Sequence, residues 1–255
     1  MLTFISCAKT MTENTSIITP PVTMPKFIHH AKEIAMMCNT LSKEELGKAL
    51  HVTNKLAAQN YKRFQSFPTD ENIPLPAITS YTGIVFKHIN PADFTAEDWH
   101  FAQEHLLITS FLYGLLRPLD LIKTYRLEGN IKLPELNGQT LFAYWRPILT
   151  DMFIRNIKKE GGILINLASA EMKDLFDWKH ISREIQIITP EFYHIHNGKP
   201  RTTVIYTKMC RGEMTRYIIK NHINSPEKLK DFNWEGYCYN PEFSQDNRWT
   251  FTLAD

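Results

Sequence analysis

The stretch GGILINLA, Gly161–Ala168, decides the fold class. Its paired glycines permit a turn, and Ile163–Leu167 then forms a run that is too apolar for a strand with one face in water. Short apolar runs of this kind are typical of strands that are buried on both faces of a sheet. The stretch therefore predicts a central strand with helices packed against it.

Helical and extended patterns alternate on both sides of this strand. Helical spacing or helix-start signals predict helices at 24–38, from 42, at 53–66, from 95, at 140–159 and at 211–222. Apolar and alternating patterns predict extended segments at 2–6, 77–86, 163–167, 184–189, 192–196, 202–207, 236–239 and 248–253. No repeat or flexible linker divides the chain, so we expect one mixed α/β (α+β) domain over residues 1–255, with a mixed sheet and flanking helices.

The segment Phe94–Trp99 carries the clearest helix start in the chain. The side chain of Thr95 can cap the helix, the side chain of Asp98 three residues later can accept from the Thr95 backbone N–H, and Phe94 can contact Trp99. The helix becomes apolar all round after Leu106, which predicts a buried C-terminal end. The apolar residues around Gly114 then resemble the hairpin of a helix-hairpin-helix near 95–120. Such a hairpin presents backbone amides to nucleic-acid phosphates. A simple buried helical hairpin fits the same residues equally well.

Composition excludes several classes of protein. The formal net charge is only +2, so an anion site must come from local clustering rather than from a bulk field. The four cysteines (Cys7, Cys38, Cys210 and Cys238) form no CxxC pair, which argues against a zinc ribbon and fits free thiols in a reducing compartment. The N-terminus lacks a basic region and no apolar run approaches membrane length, so we expect a soluble cytoplasmic protein with no membrane contact.

Basic residues cluster late in the chain. Residues 201–230 hold seven Lys or Arg against two Glu. Arg211 falls near the predicted start of a helix, where the helix dipole disfavours a cation unless an anion visits the site. The segment Lys208–Arg216 (KMCRGEMTR) therefore predicts a binding site for phosphate or carboxylate, and an ordinary capped helix explains the segment about as well.

Standard catalytic, nucleotide and metal motifs are missing from the sequence. Ser6–Lys9 matches S-x-x-K, but the S-D-N and K-T-G partners of penicillin-binding enzymes do not occur. His194 and His196 alternate along one predicted strand without a neighbouring Asp or Cys, which favours a structural role. No GxGxxG or P-loop spacing exists, and we therefore expect no cofactor and no metal.

Five motifs occur together in one order along the chain. They are S-x-A-K-T (6–10), LYGxLRPLDxIxxYRLE (112–128), INLAS (165–169), K-x-x-RG-x-M-x-R (208–216) and EGY (235–237). Together they resemble the YaaA family of bacterial peroxide-stress proteins. The chain departs from the family pattern at Cys7, where proline is usual, and at Phe111, where glycine is usual.

The resemblance implies a cytoplasmic protein that protects against hydrogen peroxide by limiting free intracellular iron. It also implies an α/β fold with a positively charged cleft and a helix-hairpin-helix associated with DNA binding. The basic residues inside matched motifs, which we expect to bind nucleic acid or another anion, are Lys9, Arg117, Arg126, Lys208, Arg211 and Arg216.

Two functions are compatible with these residues. The first is largely sequence-independent binding of duplex or distorted DNA in the basic cleft, with strong salt dependence. The second is an enzyme that acts on a small phosphorylated or carboxylated compound in the same cleft, with Lys9 and Glu128 as proton-transfer candidates and Ser6 or Tyr125 nearby. Glu128 also suits a structural ion pair, and direct iron or haem sequestration lacks a ligand cluster.

Overall fold

The sheet is organised around an N-terminal strand, β1 (Leu2–Ile5), in which every residue is buried. The structure, a computed structural model, describes residues 1–254. The remaining strands are β2 (Leu75–Pro76), β3 (Leu106–Ser110), β4 (Gly114–Leu116), β5 (Leu121–Ile122), β6 (Ile163–Asn166), β7 (Gln186–His196), β8 (Lys199–Arg201), β9 (Asn233–Trp234), β10 (Tyr237–Tyr239) and β11 (Arg248–Ala254). The helices are α1 (Ile28–Asn39), α2 (Lys43–Ala49), α3 (Asn54–Gln65), α4 (Ala77–Ser80), α5 (Ile84–Ile89), α6 (Ala96–His105), α7 (Leu141–Lys159), α8 (Trp178–Glu184) and α9 (Val204–Lys220).

Parallel strands form the centre of the main sheet, and antiparallel strands close its edges. The order is β4-β3-β1-β6-β7-β11-β10-β9, with β8 paired to the end of β7. Strand β1 runs parallel to β3 and β6, and β7 runs parallel to β6 and β11. Strands β4, β8, β9 and β10 pair antiparallel, while β2 and β5 make a separate two-stranded sheet. The predicted mixed α/β class with flanking helices is confirmed.

Helix α7 supplies much of the cover over the central strands. Phe153 of α7 packs on Phe4 of β1 at a ring-centroid distance of 5.1 Å and stacks on Phe176 at 4.5 Å. Trp145, which is fully buried, donates from Nε1 to the carbonyl oxygen of Phe111 at 2.9 Å. These contacts fix the helix against β1 and against the turn that follows β3.

Helix starts with strong local signals are confirmed. Ser42 and Glu45 form the reciprocal capping box of α2, and Thr95 and Asp98 form that of α6. Phe94 contacts Trp99 edge-on at 5.3 Å between ring centroids. Such starts need only residues within one helical turn, which is why they can be read from the sequence.

The predicted helix-hairpin-helix near 95–120 is wrong, and so is the simpler helical hairpin. Helix α6 ends at His105, and the apolar residues beyond it form β3 and β4, joined by a tight turn. Gly114 has a φ of +71°, as the turn requires, and pairs with Ser110. A short run buried on all sides fits a central strand as well as a buried helix, and the β-branched Ile108 and Thr109 favour the strand.

Three other predicted segments differ from the structure. Residues 77–86 contain the short helices α4 and α5 instead of extended chain. The two strands expected over 184–196 are one strand, β7, which continues through Pro190. Residues 202–207 are not a strand, because β8 ends at Arg201 and α9 begins at Val204. Arg211 therefore lies beyond the second turn of α9, too far from its N-terminus for the helix dipole to favour an anion beside it.

Candidate functional site

The carboxyl ends of β1 and β6 form a topological switch point. The chain leaves β1 for β3 on one side, and it leaves β6 for β7 on the other side. In open α/β sheets, the crevice at such a point is the usual ligand site. Two serines span it here: the Ser169 backbone N–H donates to Ser6 Oγ at 2.8 Å, and the two hydroxyl oxygens lie 3.2 Å apart.

Charged side chains converge beside these serines. Glu128 accepts from Lys9 at 2.7 Å and lies 3.5 Å from Arg126. The Arg126 side chain is only 18% exposed, and its Nε is buried without a hydrogen-bond partner. Desolvation raises the pKa of Glu171; the charge of Lys9 opposes this change, and the charge of Glu128 adds to it. We call Ser6, Lys9, Arg126, Glu128, Ser169 and Glu171 the carboxyl-edge cluster.

Buried hydroxyl groups lie behind this cluster. Tyr125 Oη is 2.7 Å from Ser110 Oγ and 2.7 Å from Tyr81 Oη. Burial raises the pKa of both tyrosines well above the ordinary value, so both are neutral hydrogen-bonding groups near pH 7. Burial also raises the pKa of the Cys7 thiol to about 12, which makes it a poor nucleophile at neutral pH.

Arg117 lies at the opposite edge of the sheet. Its Nη1 donates to the carbonyl oxygens of Gln103 and Glu104, at 2.7 Å each, and so caps the last turn of α6, which precedes β3. Its backbone N–H donates to Asp120 at 2.8 Å. Because β1 and β3 are parallel, Arg117 near the start of β3 is separated by the length of the strands from Lys9 beyond the end of β1.

The three other predicted cations lie along α9 and have different surroundings. Arg216 donates to both carboxylate oxygens of Asp93 and to two backbone carbonyls. Arg211 is largely buried, and its Nε has no hydrogen-bond partner; desolvation lowers its pKa, and Glu191 opposes this effect. Lys208 is exposed, and no ion pair to it occurs among residues 1–254.

The first turn of α9 and the preceding hairpin form a continuously exposed segment. Every residue from 196 to 206 is exposed, including apolar side chains that are 66% (Val204), 47% (Ile205) and 45% (Tyr206) exposed. The first turn of α9 has no side-chain cap. Residues 192–212 contain Lys199, Arg201, Lys208 and Arg211 but no Asp or Glu. We define the hairpin–helix face as Lys199, Arg201, Val204, Ile205, Tyr206 and Lys208.

Helix α5 connects the region of Lys9 to that of Arg211. A Cβ on Gly83, which precedes α5, would lie 2.7 Å from Ala8 Cβ. A Cβ on Gly212 would lie 2.4 Å from the Val85 carbonyl oxygen. The lack of a side chain at Gly83 and at Gly212 thus lets the N-terminal part of α5 lie close both to Ala8 and to α9. Helix α5 therefore lies between Ala8, the neighbour of Lys9, and the middle of α9.

The known-protein comparisons give one consistent family. A family model described as "Peroxide stress protein YaaA" matches residues 1–243. The chain belongs to this family. A UPF0246 protein from Phocaeicola vulgatus is 56% identical over 253 residues, which are 99% of each chain. UPF0246 proteins from Porphyromonas gingivalis (41% identical, 99% of this chain and 100% of that one) and Teredinibacter turnerae (36%, 99% of each) are also similar.

The six predicted cations of this YaaA-family chain therefore occupy several environments. Lys9 and Arg126 both pair with Glu128. Lys208 lies on the hairpin–helix face, and Arg211 follows it by three residues on α9. Arg117 donates to backbone carbonyl oxygens at the end of α6, and Arg216 pairs with Asp93. Their role in anion binding stays a prediction. Lys199 and Tyr206 were not singled out from the sequence, and the hydrogen bond between Ser6 and Ser169 was not predicted. The absence of Asp and Glu from residues 192–212 is visible in the sequence and would have drawn attention to Lys199 and Tyr206.

Within residues 1–254, no helix of this YaaA-family protein is long and apolar enough to cross a membrane. The same residues contain no group of three or more His, Cys, Asp or Glu side chains that could hold a metal ion. A location in the cytoplasm and the absence of a cofactor stay predictions.

Proposed function

We propose that this YaaA-family protein binds DNA through the hairpin–helix face and that this binding helps limit iron-dependent oxidative damage in the cytoplasm. The observation that carries the proposal is the acid-free run 192–212, which includes the continuously exposed stretch 196–206 and in which Lys199, Arg201 and Lys208 are exposed. Phosphate contacts from such cations give affinity without base specificity. Family membership supports the peroxide part of the proposal.

Exposed apolar side chains support a nucleic-acid ligand over a free anion. Tyr206 lies within the basic run and is 45% exposed, as a side chain must be to stack on an unpaired base. Val204 and Ile205 offer further apolar contact beside it. Distorted or partly single-stranded DNA exposes both bases and phosphates, so we expect it to bind more tightly than intact duplex.

The binding surface is expected to extend from the hairpin–helix face toward Lys9. Lys208 and Arg211 lie three residues apart on α9 and therefore face similar directions. Beyond them, α5 touches Ala8, next to Lys9. A strand of nucleic acid that follows this path would meet Lys208 first and the carboxyl-edge cluster second.

Fluorescence anisotropy with labelled single-stranded, bulged and intact duplex DNA tests the proposal. The triple variant Lys199→Ala/Arg201→Ala/Lys208→Ala removes three exposed cations from the face. We expect it to lose most of its DNA affinity at low salt while unfolding at the parent's temperature. Tyr206→Ala should weaken bulged and single-stranded DNA more than intact duplex, by about 1–3 kcal/mol for each lost stacking contact.

A matched triple variant controls for the loss of charge. Lys43→Ala/Lys48→Ala/Lys179→Ala also removes three exposed lysines, from α2 and α8, and should bind DNA like the parent. Equal losses in the two triple variants would mean that only the net charge matters. No loss in the first variant would refute the assignment to this face.

A small-molecule enzyme is the second candidate, and the Ser6–Ser169 bridge at the switch point favours it. A carboxylate or phosphate that binds at the exposed ammonium of Lys9 would compete with Glu128 for this cation. The freed carboxylate of Glu128 would then be placed to accept a substrate proton. The local pairing of cations with carboxylates suits a small ligand better than a polyanion.

Thermal unfolding with inorganic phosphate, malonate and citrate distinguishes this candidate. Stabilisation that is lost in Arg126→Gln and kept in Lys208→Gln would place a small-anion site at the carboxyl-edge cluster. Stabilisation lost only in Lys208→Gln would instead support the hairpin–helix face. If no anion stabilises the protein, the enzyme candidate fails.

A further inference from the structure

An apolar pocket of about 410 Å³ opens between α1, the end of α3 and the β5 region, and its lining includes none of the six predicted cations. Its walls are formed mainly by Ile28, Ala35, Phe64, Phe67, Tyr113 and Leu121. Met24 and Met36, which also line it, are 64% and 68% exposed and form part of the rim. The volume lies within the range of about 300–1,000 Å³ that is typical of small-molecule sites.

Few polar groups line this pocket. Two are the ammonium groups of Lys32, from α1, and Lys123, which follows β5. Lys123 donates to the carbonyl oxygens of Phe67 at 2.8 Å and Thr69 at 2.6 Å, which leaves one of its three N–H donors for a ligand. The others are the hydroxyl of Tyr113, which accepts from the Lys123 backbone N–H at 2.9 Å, and Asn39, whose Oδ1 is buried and has no hydrogen-bond partner.

The two lysines are close enough to affect one another. Burial lowers the pKa of Lys123, Asp70 opposes the change, and the positive charge of Lys32 adds to it. Both lysines line the same pocket, and two like charges beside an apolar cavity are unfavourable unless an anion compensates them. An anionic group at the mouth would thus relieve the repulsion, while an apolar group beyond it would cover the walls.

We propose that this pocket binds an alkyl carboxylate of medium chain length, a free fatty acid or a molecule with the same head and tail. The carboxylate would lie between Lys32 and Lys123, and the alkyl chain would run along Phe64, Phe67 and Tyr113. A neutral ligand leaves the lysine pair uncompensated, and a cationic ligand adds a third positive charge. This proposal does not depend on DNA binding, because none of the pocket-lining residues belongs to the hairpin–helix face.

Calorimetric titration with decanoate, 1-decanol and decylamine tests the proposal. We expect one decanoate to bind for each chain, with decanol weaker and decylamine weakest. Lys32→Gln should weaken decanoate about 2- to 5-fold, as for one partly exposed ion pair, while leaving decanol unchanged. Lys32→Arg should restore the affinity, and Lys48→Gln, on α2, should have no effect.

A pocket-filling variant tests the position of the tail. Ala35→Phe places a ring in the cavity and should abolish binding of both decanoate and decanol. Because that variant can also disturb the core around α1, its unfolding temperature is measured alongside, and Lys32→Gln decides the case if it unfolds early. Failure of decanoate to bind the parent, or equal binding of decanoate and decylamine, would overturn the proposal.

Discussion

Glu128 joins two cations that are far apart in the sequence. It pairs with Lys9 at the end of β1 and with Arg126 two residues before it, and its side chain is only 13% exposed. The sequence could mark all three residues as candidates, because each lies in a matched motif. It could not show that they meet, since the first contact spans more than a hundred residues and depends on the pairing of β1 with β3.

Glu128→Gln should leave the two cations without their shared carboxylate. We expect a loss of about 1–3 kcal/mol in the free energy of unfolding, because the Arg126 side chain is mostly buried. Inorganic phosphate should then stabilise the variant more than it stabilises the parent, since the anion no longer competes with Glu128. Thermal denaturation with and without phosphate measures both effects. If phosphate stabilised the parent and Glu128→Gln equally, Glu128 would not be competing with anions for Lys9 and Arg126.

Cys7 should react slowly with alkylating reagents in spite of its position beside the crevice. Its pKa is raised to about 12 by burial, so almost no thiolate is present near pH 7. Cys238 is exposed and should be labelled first by iodoacetamide. Mass spectrometry of the digested protein gives both rates, and faster labelling of Cys7 than of Cys238 would show that its thiol is not held in the protonated form.

Asp98 should make stability depend on acid pH. Desolvation opposes ionisation, but hydrogen bonds from Lys220 and Thr95 outweigh it and lower the pKa of Asp98 below its ordinary value of 3.8. A group with a depressed pKa stabilises the fold above its unfolded value, and this stabilisation is lost as the pH falls through the folded value. Asp98→Asn should therefore cost about 1–2 kcal/mol near neutral pH.

The cost of Asp98→Asn should shrink as the pH falls below 3.8, because the parent then loses the same charge. Urea denaturation of both proteins across the acid range measures the difference. A cost that stays constant down to the lowest pH at which the parent folds would show that the charge of Asp98 does not contribute.

Helices and strands differed in how well their boundaries could be predicted. Helices α2 and α6 carry complete capping boxes, and their starts were predicted correctly. Residues Leu106–Ser110 were predicted to be helical but form strand β3. An apolar run that is buried on all sides has no periodicity that distinguishes a helix from a strand. The start of α9 was missed because Val204, Ile205 and Thr207 are β-branched and favour strands in isolation, whereas in the structure they are the first turn of a helix whose later residues pack against α5.

Close packing of α5 on α9 should make Gly212→Ala destabilising. The new Cβ would lie 2.4 Å from the Val85 carbonyl oxygen and 2.6 Å from His88 Cβ, so the helices must separate. Alanine gains about 1 kcal/mol of helix propensity over glycine, and overpacking costs about 1–3 kcal/mol. We expect a net loss in urea denaturation, larger than that of Gly47→Ala, whose Cβ would meet only Ala57 Cβ at 2.9 Å.

If Gly212→Ala stabilised the protein, the contact between α5 and α9 would be looser than described. The same variant should also weaken DNA binding if Lys208 and the carboxyl-edge cluster act together, because α5 sets the distance between them. Unchanged DNA affinity in a destabilised variant would restrict binding to the hairpin–helix face.

The whole molecule combines a central parallel sheet that has a topological switch point with an exposed basic hairpin. Alternating patterns in the sequence were enough to predict the α/β class. They could not predict the strand order, because that order places β1, the first strand in the chain, between β3 and β6. Switch-point residues such as Ser6 and Ser169 become recognisable only when that order is known.

The central claim is that the hairpin–helix face contacts DNA phosphates, and the salt dependence of binding tests it most directly. The slope of log affinity against log salt concentration counts the phosphates that are neutralised, at about 0.7–0.9 for each contact. For Lys199→Ala/Arg201→Ala/Lys208→Ala we predict a slope that is shallower than the parent's by about 2–3. A triple variant with the parent's slope, on DNA that the parent binds, would contradict the claim.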